Sequence, residues 1–156
     1  MIEVQIKRTF PITVAFIEMK GPFSLMGEAF GKLYGWIETQ GYTAAGMPVG
    51  LYLSNPDITP AEELVWELWS PIDEFAEPRK PDSDGLGVKC IEPTSVASTM
   101  HRGPYESLGP KYASLTRWVT ENGHEIVGSP MEVYYSDPED TPPEEYLTEI
   151  QMPIAE

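Results

Sequence analysis

The residues of this chain that could do chemistry are acidic and aromatic, and they recur at a fixed distance. Tyr52 and Tyr134 are 82 positions apart, and so are Glu67 and Glu149 (149 − 67 = 82). Phe30 meets Tyr112 at the same offset, so the second copy adds a hydroxyl to that ring. Several aromatic faces around one cavity suit a cation, because the ring quadrupole is negative on its face. A carboxylate desolvated beside such rings can pair with a bound cation or act as a general base toward water. The plainer reading of any one of these tyrosines is a core ring whose hydroxyl sits at a rim or on a backbone group.

Other chemistries find little support. His101 and His124 are far apart and have no cysteine or acidic companions at ligand spacing, so no metal is expected. Cys90 is the single cysteine, which excludes an internal disulfide and a thiolate cluster, and reads as a small core residue in a reducing compartment. No Gly-x-Gly-x-x-Gly, Walker loop or Gly-x-Ser-x-Gly occurs, so no cofactor or serine nucleophile is expected. With 25 acidic and 10 basic residues the formal charge is −15, which repels nucleic-acid phosphates and favours cationic organic molecules. The start Met1-Ile2-Glu3-Val4-Gln5-Ile6-Lys7 is not a secretory signal, and no window approaches the roughly 20 apolar residues of a membrane span. A soluble, cytoplasmic protein without a membrane partner follows, and 156 residues suit a single domain over 1–156.

The elements that must position these residues follow from an internal repeat. Aligning Gly21-Pro22 with Gly103-Pro104 brings Trp36 onto Trp118, Gly41 onto Gly123, Pro48 onto Pro130 and Pro71-Ile72 onto Pro153-Ile154. Over 21–72, 18 of 52 positions are identical without a gap, against about one in sixteen from composition, so this is a duplication. The repeats cover about 1–72 and 86–156. The charged, Pro- and Gly-rich stretch 73–85 reads as a linker.

Each copy opens with an alternating strand broken at Pro11 or Pro93, then turns through Gly-Pro-aromatic into a helix. The helical stripes are Met26, Phe30, Leu33 and Ile37, and Leu108, Tyr112, Leu115 and Val119, each ended by a C-capping glycine, Gly41 or Gly123. Trp36 and Trp118 flank the stripes and read as wedges between helix and sheet. Two strands follow in each copy, near 49–53 and 64–69, and near 131–135 and 146–151. The fold class is therefore α+β: duplicated strand-helix-strand-strand units forming one antiparallel sheet with two helices on one face. A seam between the halves would be the place for a ligand pocket.

The run Arg102-Gly103-Pro104-Tyr105-Glu106-Ser107-Leu108 opens a longer pattern. Leu115, Trp118, Asn122-Gly123, Gly128-Ser129-Pro130, Tyr134, Asp137-Pro138 and Leu147 to Ile154 follow at spacings that resemble the GyrI-like (gyrase-inhibitor-like) effector-binding domains over nearly the whole chain. The resemblance implies a hydrophobic cavity between two halves, aromatic walls, and a carboxylate that attracts flat, lipophilic cations. Many such domains are the sensing part of a transcription regulator of the AraC or MerR type. Here only about three residues precede the first strand and two follow the last, so a stand-alone domain is expected.

On this resemblance Glu149 is the first candidate for the pocket carboxylate. Strand alternation places it with Leu147 and Gln151, opposite Tyr146, Thr148, Ile150 and Met152, so a solvent-facing position is the competing reading. Glu67 is its repeat mate. Tyr52, Tyr134, Tyr112 and Tyr105 are candidate walls, Tyr105 by resemblance alone. Trp66 and Trp69 lie on opposite faces of one strand, so one of them should be exposed or part of a binding surface. Three functions are open: a binder of lipophilic, cationic drug-like molecules; a hydrolase of cyclopropane-containing natural products, with Glu149 activating water and Tyr134 or Tyr112 protonating the leaving group; or a protein-interaction module, such as a gyrase-protective protein, that docks an unidentified partner.

Overall fold

The computed structural model describes residues 2–156. In chain order the elements are β1 (Gln5–Arg8), β2 (Ile12–Lys20), α1 (Met26–Thr39), β3 (Val49–Tyr52), β4 (Val65–Pro71), β5 (Leu86–Ile91), β6 (Ser95–Arg102), α2 (Leu108–Glu121), β7 (Met131–Tyr134) and β8 (Leu147–Pro153). They form two compact units. The first is Pro11–Glu92, and the second joins the residues up to Phe10 with Pro93–Glu156.

Each unit is α+β, an antiparallel four-stranded sheet with one helix packed on it. The strand order is β3-β4-β2-β5 in the first and β7-β8-β6-β1 in the second. The leading strands are exchanged relative to the sequence repeats: β1 pairs with β6, and β5 pairs with β2. Pro11 and Pro93 fall at the two crossings. Proline has no N–H to give a ladder, so each long alternating stretch divides there. The alternation is the same on either side of the break, which is why pattern alone does not assign the short strands to a sheet.

Both helices are built alike. Gly21 and Gly103, at φ 128° and 134°, reverse the chain after β2 and β6, and a 3-10 turn leads into each helix. The stripes bury Ala29, Leu33 and Ile37 on α1, and Leu108, Leu115 and Val119 on α2. At the far ends the N–H groups of Gly41 and Tyr42 bond the carbonyls of Glu38 and Ile37, and those of Gly123 and His124 bond Thr120 and Val119. Both are Schellman caps, and they require the left-handed φ of 81° and 79° that glycine adopts freely.

The linker 73–85 is partly anchored on the first unit. The backbone of Arg79 pairs with Val88, and its guanidinium lies 5.0 Å over the ring of Trp36 and donates to Gln40. Trp36 therefore packs on its core while partly covered by Arg79 and Tyr42. Among the described residues no helix is long and apolar enough to cross a membrane.

Candidate functional site

In the second unit α2 packs on the face of the sheet formed by Ala97, Ile150 and Met152. Directly paired residues share a face, so Glu132 opposite Ile150 and Tyr134 opposite Thr148 belong to that side as well. Strand alternation along Met131-Glu132-Val133-Tyr134 then turns Met131 and Val133 the other way. Tyr112 comes from the α2 stripe, one turn after Leu108.

These three side chains meet. The Tyr112 hydroxyl donates to one oxygen of the Glu132 carboxyl, and the Tyr134 hydroxyl donates to the other at 2.9 Å. Glu132 is 8% exposed. Burial pushes its pKa above the usual carboxylate range, and the two phenol donors only partly offset this. Among the described residues no lysine, arginine or histidine is within ion-pair distance of it. The aromatic surround continues through Tyr105, whose ring lies 5.8 Å from that of Tyr134 and stacks at 4.9 Å on Tyr146. Burial first, and then the neighbouring Tyr146, Glu132 and Asp137, raise the Tyr105 pKa.

Such an arrangement has two chemical capacities. Ionised, Glu132 is a buried negative charge with neutral donors only, which a cation among the rings would neutralise. With its raised pKa it is also a stronger base than a solvated carboxylate, beside two hydroxyls able to give a proton.

Glu149 lies on the opposite face of the same sheet. It is 2% exposed and fully engaged: Lys7 Nζ is 2.6 Å away, Ser98 and Tyr135 donate at 2.5 and 2.7 Å, and Gln151 donates at 3.1 Å. Burial opposes ionisation, but these donors prevail and hold its pKa at about 2. Burial and the same carboxylate push the Tyr135 hydroxyl up to about 12. An open cleft of about 550 Å³ lies beside the ion pair, lined by Gln5, Lys7, Ser98, Lys111, Tyr135 and Glu149 among others.

Glu67, the repeat mate of Glu149, is paired in the same way. Lys89 Nζ lies 2.5 Å from its carboxylate, and the Trp69 indole donates to it at 2.8 Å. Lys7 and Lys89 are themselves 82 residues apart, so the whole ion pair is duplicated.

Trp66 is fully buried under α1, and its indole N–H donates to the Gly21 carbonyl at 2.9 Å. Trp69 faces the other way, yet it is only 6% exposed, which overturns the exposed alternative expected for one of the two. The Lys89 ammonium lies 5.3 Å from the Trp69 ring and 4.5 Å from that of Phe16, so an amphipathic side chain closes what alternation alone leaves bare. Tyr52 packs edge-on against Phe23 at 5.3 Å.

The structure thus brings together Tyr112, Tyr134 and Tyr105 of the sequence candidates. It separates Glu149, Glu67 and Trp69 from the helix faces of their sheets, and it leaves Tyr52 and Trp66 in the first unit. Glu132 was missed. Its signal was present: it shares strand parity with Tyr134, and it takes the place that Gly50 has in the first copy.

Residues 3–155 match the family model of the GyrI-like small molecule binding domain. Among curated proteins no relative matches. The fold is similar to the C-terminal domain of EcmrR, with a TM-score of 0.79 at 23% identity over 99% of this chain and 98% of that one. EcmrR in its DNA complex gives 0.84 at 21% over 99% of this chain and 57% of that one, so the chain spans little more than half of that protein. A hydrolase encoded by lin2189 from Listeria innocua is similar at 0.76 and 15% identity, covering 98% and 92% of the two chains. SAV2435 bound to tetraphenylphosphonium is similar at 0.63 and 15%, covering 98% and 94%. At these identities the likeness is one of fold.

Proposed function

Because the chain belongs to the GyrI-like small-molecule-binding family, we propose that it binds lipophilic, cationic organic molecules, with Glu132 as the carboxylate and Tyr112, Tyr134 and Tyr105 as its aromatic surround. The observation that carries this reading is the Glu132 carboxyl itself, 8% exposed and held by two phenol hydroxyls with no cationic side chain beside it among the described residues. A buried charge left without a counter-ion is costly, and a bound cation removes that cost while gaining contact with aromatic faces. Glu149 supports the reading less well, since Lys7 already neutralises it.

Tetraphenylphosphonium, the compound bound to one protein of the same fold, is a suitable probe. Titration followed by calorimetry should show binding to wild type and a loss of at least about tenfold in Glu132→Gln, with Glu149→Gln close to wild type once its folding is verified. Equal binding by wild type and Glu132→Gln would remove Glu132 from the site.

A hydrolytic reading is favoured by one observation, the raised pKa of Glu132 beside two hydroxyls. In that reaction Glu132 takes a proton from water as its oxygen bonds a strained ring carbon. The ring C–C bond breaks toward a conjugated acceptor, and a tyrosine hydroxyl supplies the proton there, so the net change is addition of one water. Incubation with a cyclopropane-bearing alkylator, followed by mass spectrometry, should then give hydrated product with wild type but not with Glu132→Gln. The protein-interaction reading gains nothing from Trp66 and Trp69, since both are buried.

A further inference from the structure

Thr148 is the least explained polar group in the second unit. It is 1% exposed, and its Oγ1 has no hydrogen-bond partner among the described residues. A buried hydroxyl without a partner costs stability, so most are satisfied. Its position is defined by register. On β8 it lies opposite His101 of β6 and Tyr134 of β7, so these three share a row on the helix face, and the next row is Thr99, Ile150 and Glu132. Neither row neighbour satisfies it: the His101 ring is bonded to Ser107 at 2.9 Å, and the Tyr134 hydroxyl is bonded to Glu132.

The first unit shows what the same fold uses when this position is only structural. There the mate of Thr148 is Trp66, fully buried and bonded to Gly21, and the mate of His101 is Met19, packed against the same core. The second unit has given up an indole for a small hydroxyl and has left that hydroxyl without a bond. Fold alone favours neither change.

We infer that Thr148 Oγ1 is a second anchor of the ligand site, bonding a neutral hydroxyl or carbonyl of a ligand whose cationic centre is held at Glu132. The inference rests on the cation-binding reading above and narrows it. Diagonal neighbours on adjacent strands are about 7–8 Å apart, a separation that one drug-sized molecule spans. The preferred ligands are then lipophilic cations that carry an oxygen function rather than hydrocarbon cations alone.

The test compares tetraphenylphosphonium with (hydroxyphenyl)triphenylphosphonium isomers on wild type, Thr148→Val and Glu132→Gln. Valine keeps the shape of threonine and removes only the hydroxyl. Wild type should favour the best hydroxylated isomer by several-fold to about tenfold, and Thr148→Val should abolish that preference while binding tetraphenylphosphonium as before. No preference in wild type, or one that survives in Thr148→Val, overturns the inference while leaving the Glu132 reading intact. Loss of both probes' dependence on Glu132 overturns that reading instead.

A ligand-free measurement separates the two further. Thermal unfolding of Thr148→Val should occur at the same or a higher temperature than wild type, because an unpaired buried hydroxyl is removed. A clear fall would mean that the hydroxyl is satisfied in the free protein, by protein or by water, and would overturn its role as an anchor waiting for ligand.

Discussion

On the helix face of the first unit the sheet carries Ile17, Met19, Trp66 and Leu68, and α1 covers them with Leu33 and Ile37. The same positions of the second unit hold Thr99, His101, Thr148 and Ile150, with Glu132 where the first has Gly50 and Tyr112 where it has Phe30. On the opposite faces one feature is common to both units, since Lys89 pairs with Glu67 as Lys7 pairs with Glu149. Among the described residues the first unit closes with no buried carboxyl or imidazole group under its helix, and the buried Ser70 hydroxyl on that face meets Tyr34 of α1. The Glu132 carboxyl, the His101 imidazole and a hydroxyl at the Thr148 position, whose mates are Gly50, Met19 and Trp66, are therefore not required by the fold. The duplicated ion pairs are thus common to both units, and the polar cluster around Glu132 is confined to the one in which we propose the ligand site.

The strongest way to break this comparison is Trp66→Thr, which gives the first unit the residue of the second. It removes a fully buried indole and leaves the Gly21 carbonyl without its donor. We expect a loss of ~3–5 kcal/mol in urea unfolding. A cost below about 1 kcal/mol would mean that the position is not structural in either unit, and Thr148 would lose its contrast.

The second prediction concerns the ion pair on the opposite face. Glu149→Gln should cost ~2–3 kcal/mol, because the Lys7 ammonium loses its counter-charge and four donors lose an ionised acceptor. The pH dependence has a definite sign. The folded pKa of about 2 lies below the ordinary 4.5, so the pair's contribution is complete above pH 4.5 and is lost as pH falls from there toward 2. Urea midpoints measured across that range should fall in wild type with a slope that Glu149→Gln lacks. A matching slope in the variant would show that other carboxylates govern acid unfolding.

These contrasts also explain what could be read from the chain without a structure. The duplicated unit was legible because Gly-Pro turns, four-residue helical stripes and C-capping glycines are local patterns, and each was written twice. Exchange of β1 and β5 was not legible, since a short alternating strand after a proline break pairs equally well in either sheet. Glu149 and Glu132 show the same limit at the site. Resemblance drew attention to the last strand, but parity there places Glu149 with Gln151 rather than with Ile150. Only the pairing of β7 with β8 shows that Glu132 faces the helix. The burial of Trp69 was out of reach for a related reason, because the lysine that covers it comes from a strand 20 residues away in sequence.

The smallest expected effect sharpens the contrast most, since it sets two carboxylates of one unit against each other. Glu132 has a raised pKa, so the folded protein binds its proton more tightly than the unfolded chain does. The stability it contributes is therefore present at acid pH and declines as pH rises from 4.5 through the folded value, the reverse of Glu149. Above its folded pKa the ionised form is a liability to the ligand-free protein, and there Glu132→Gln should leave stability unchanged or raise it by up to ~1 kcal/mol, because the amide oxygen still accepts a phenol hydrogen bond. Denaturant unfolding at pH 5 and pH 8 checks this: the gain from Glu132→Gln should be greater at pH 8. A loss of several kcal/mol at both pH values would make Glu132 a structural carboxylate like Glu149, and the division between the shared and the one-sided residues would fail at its central member.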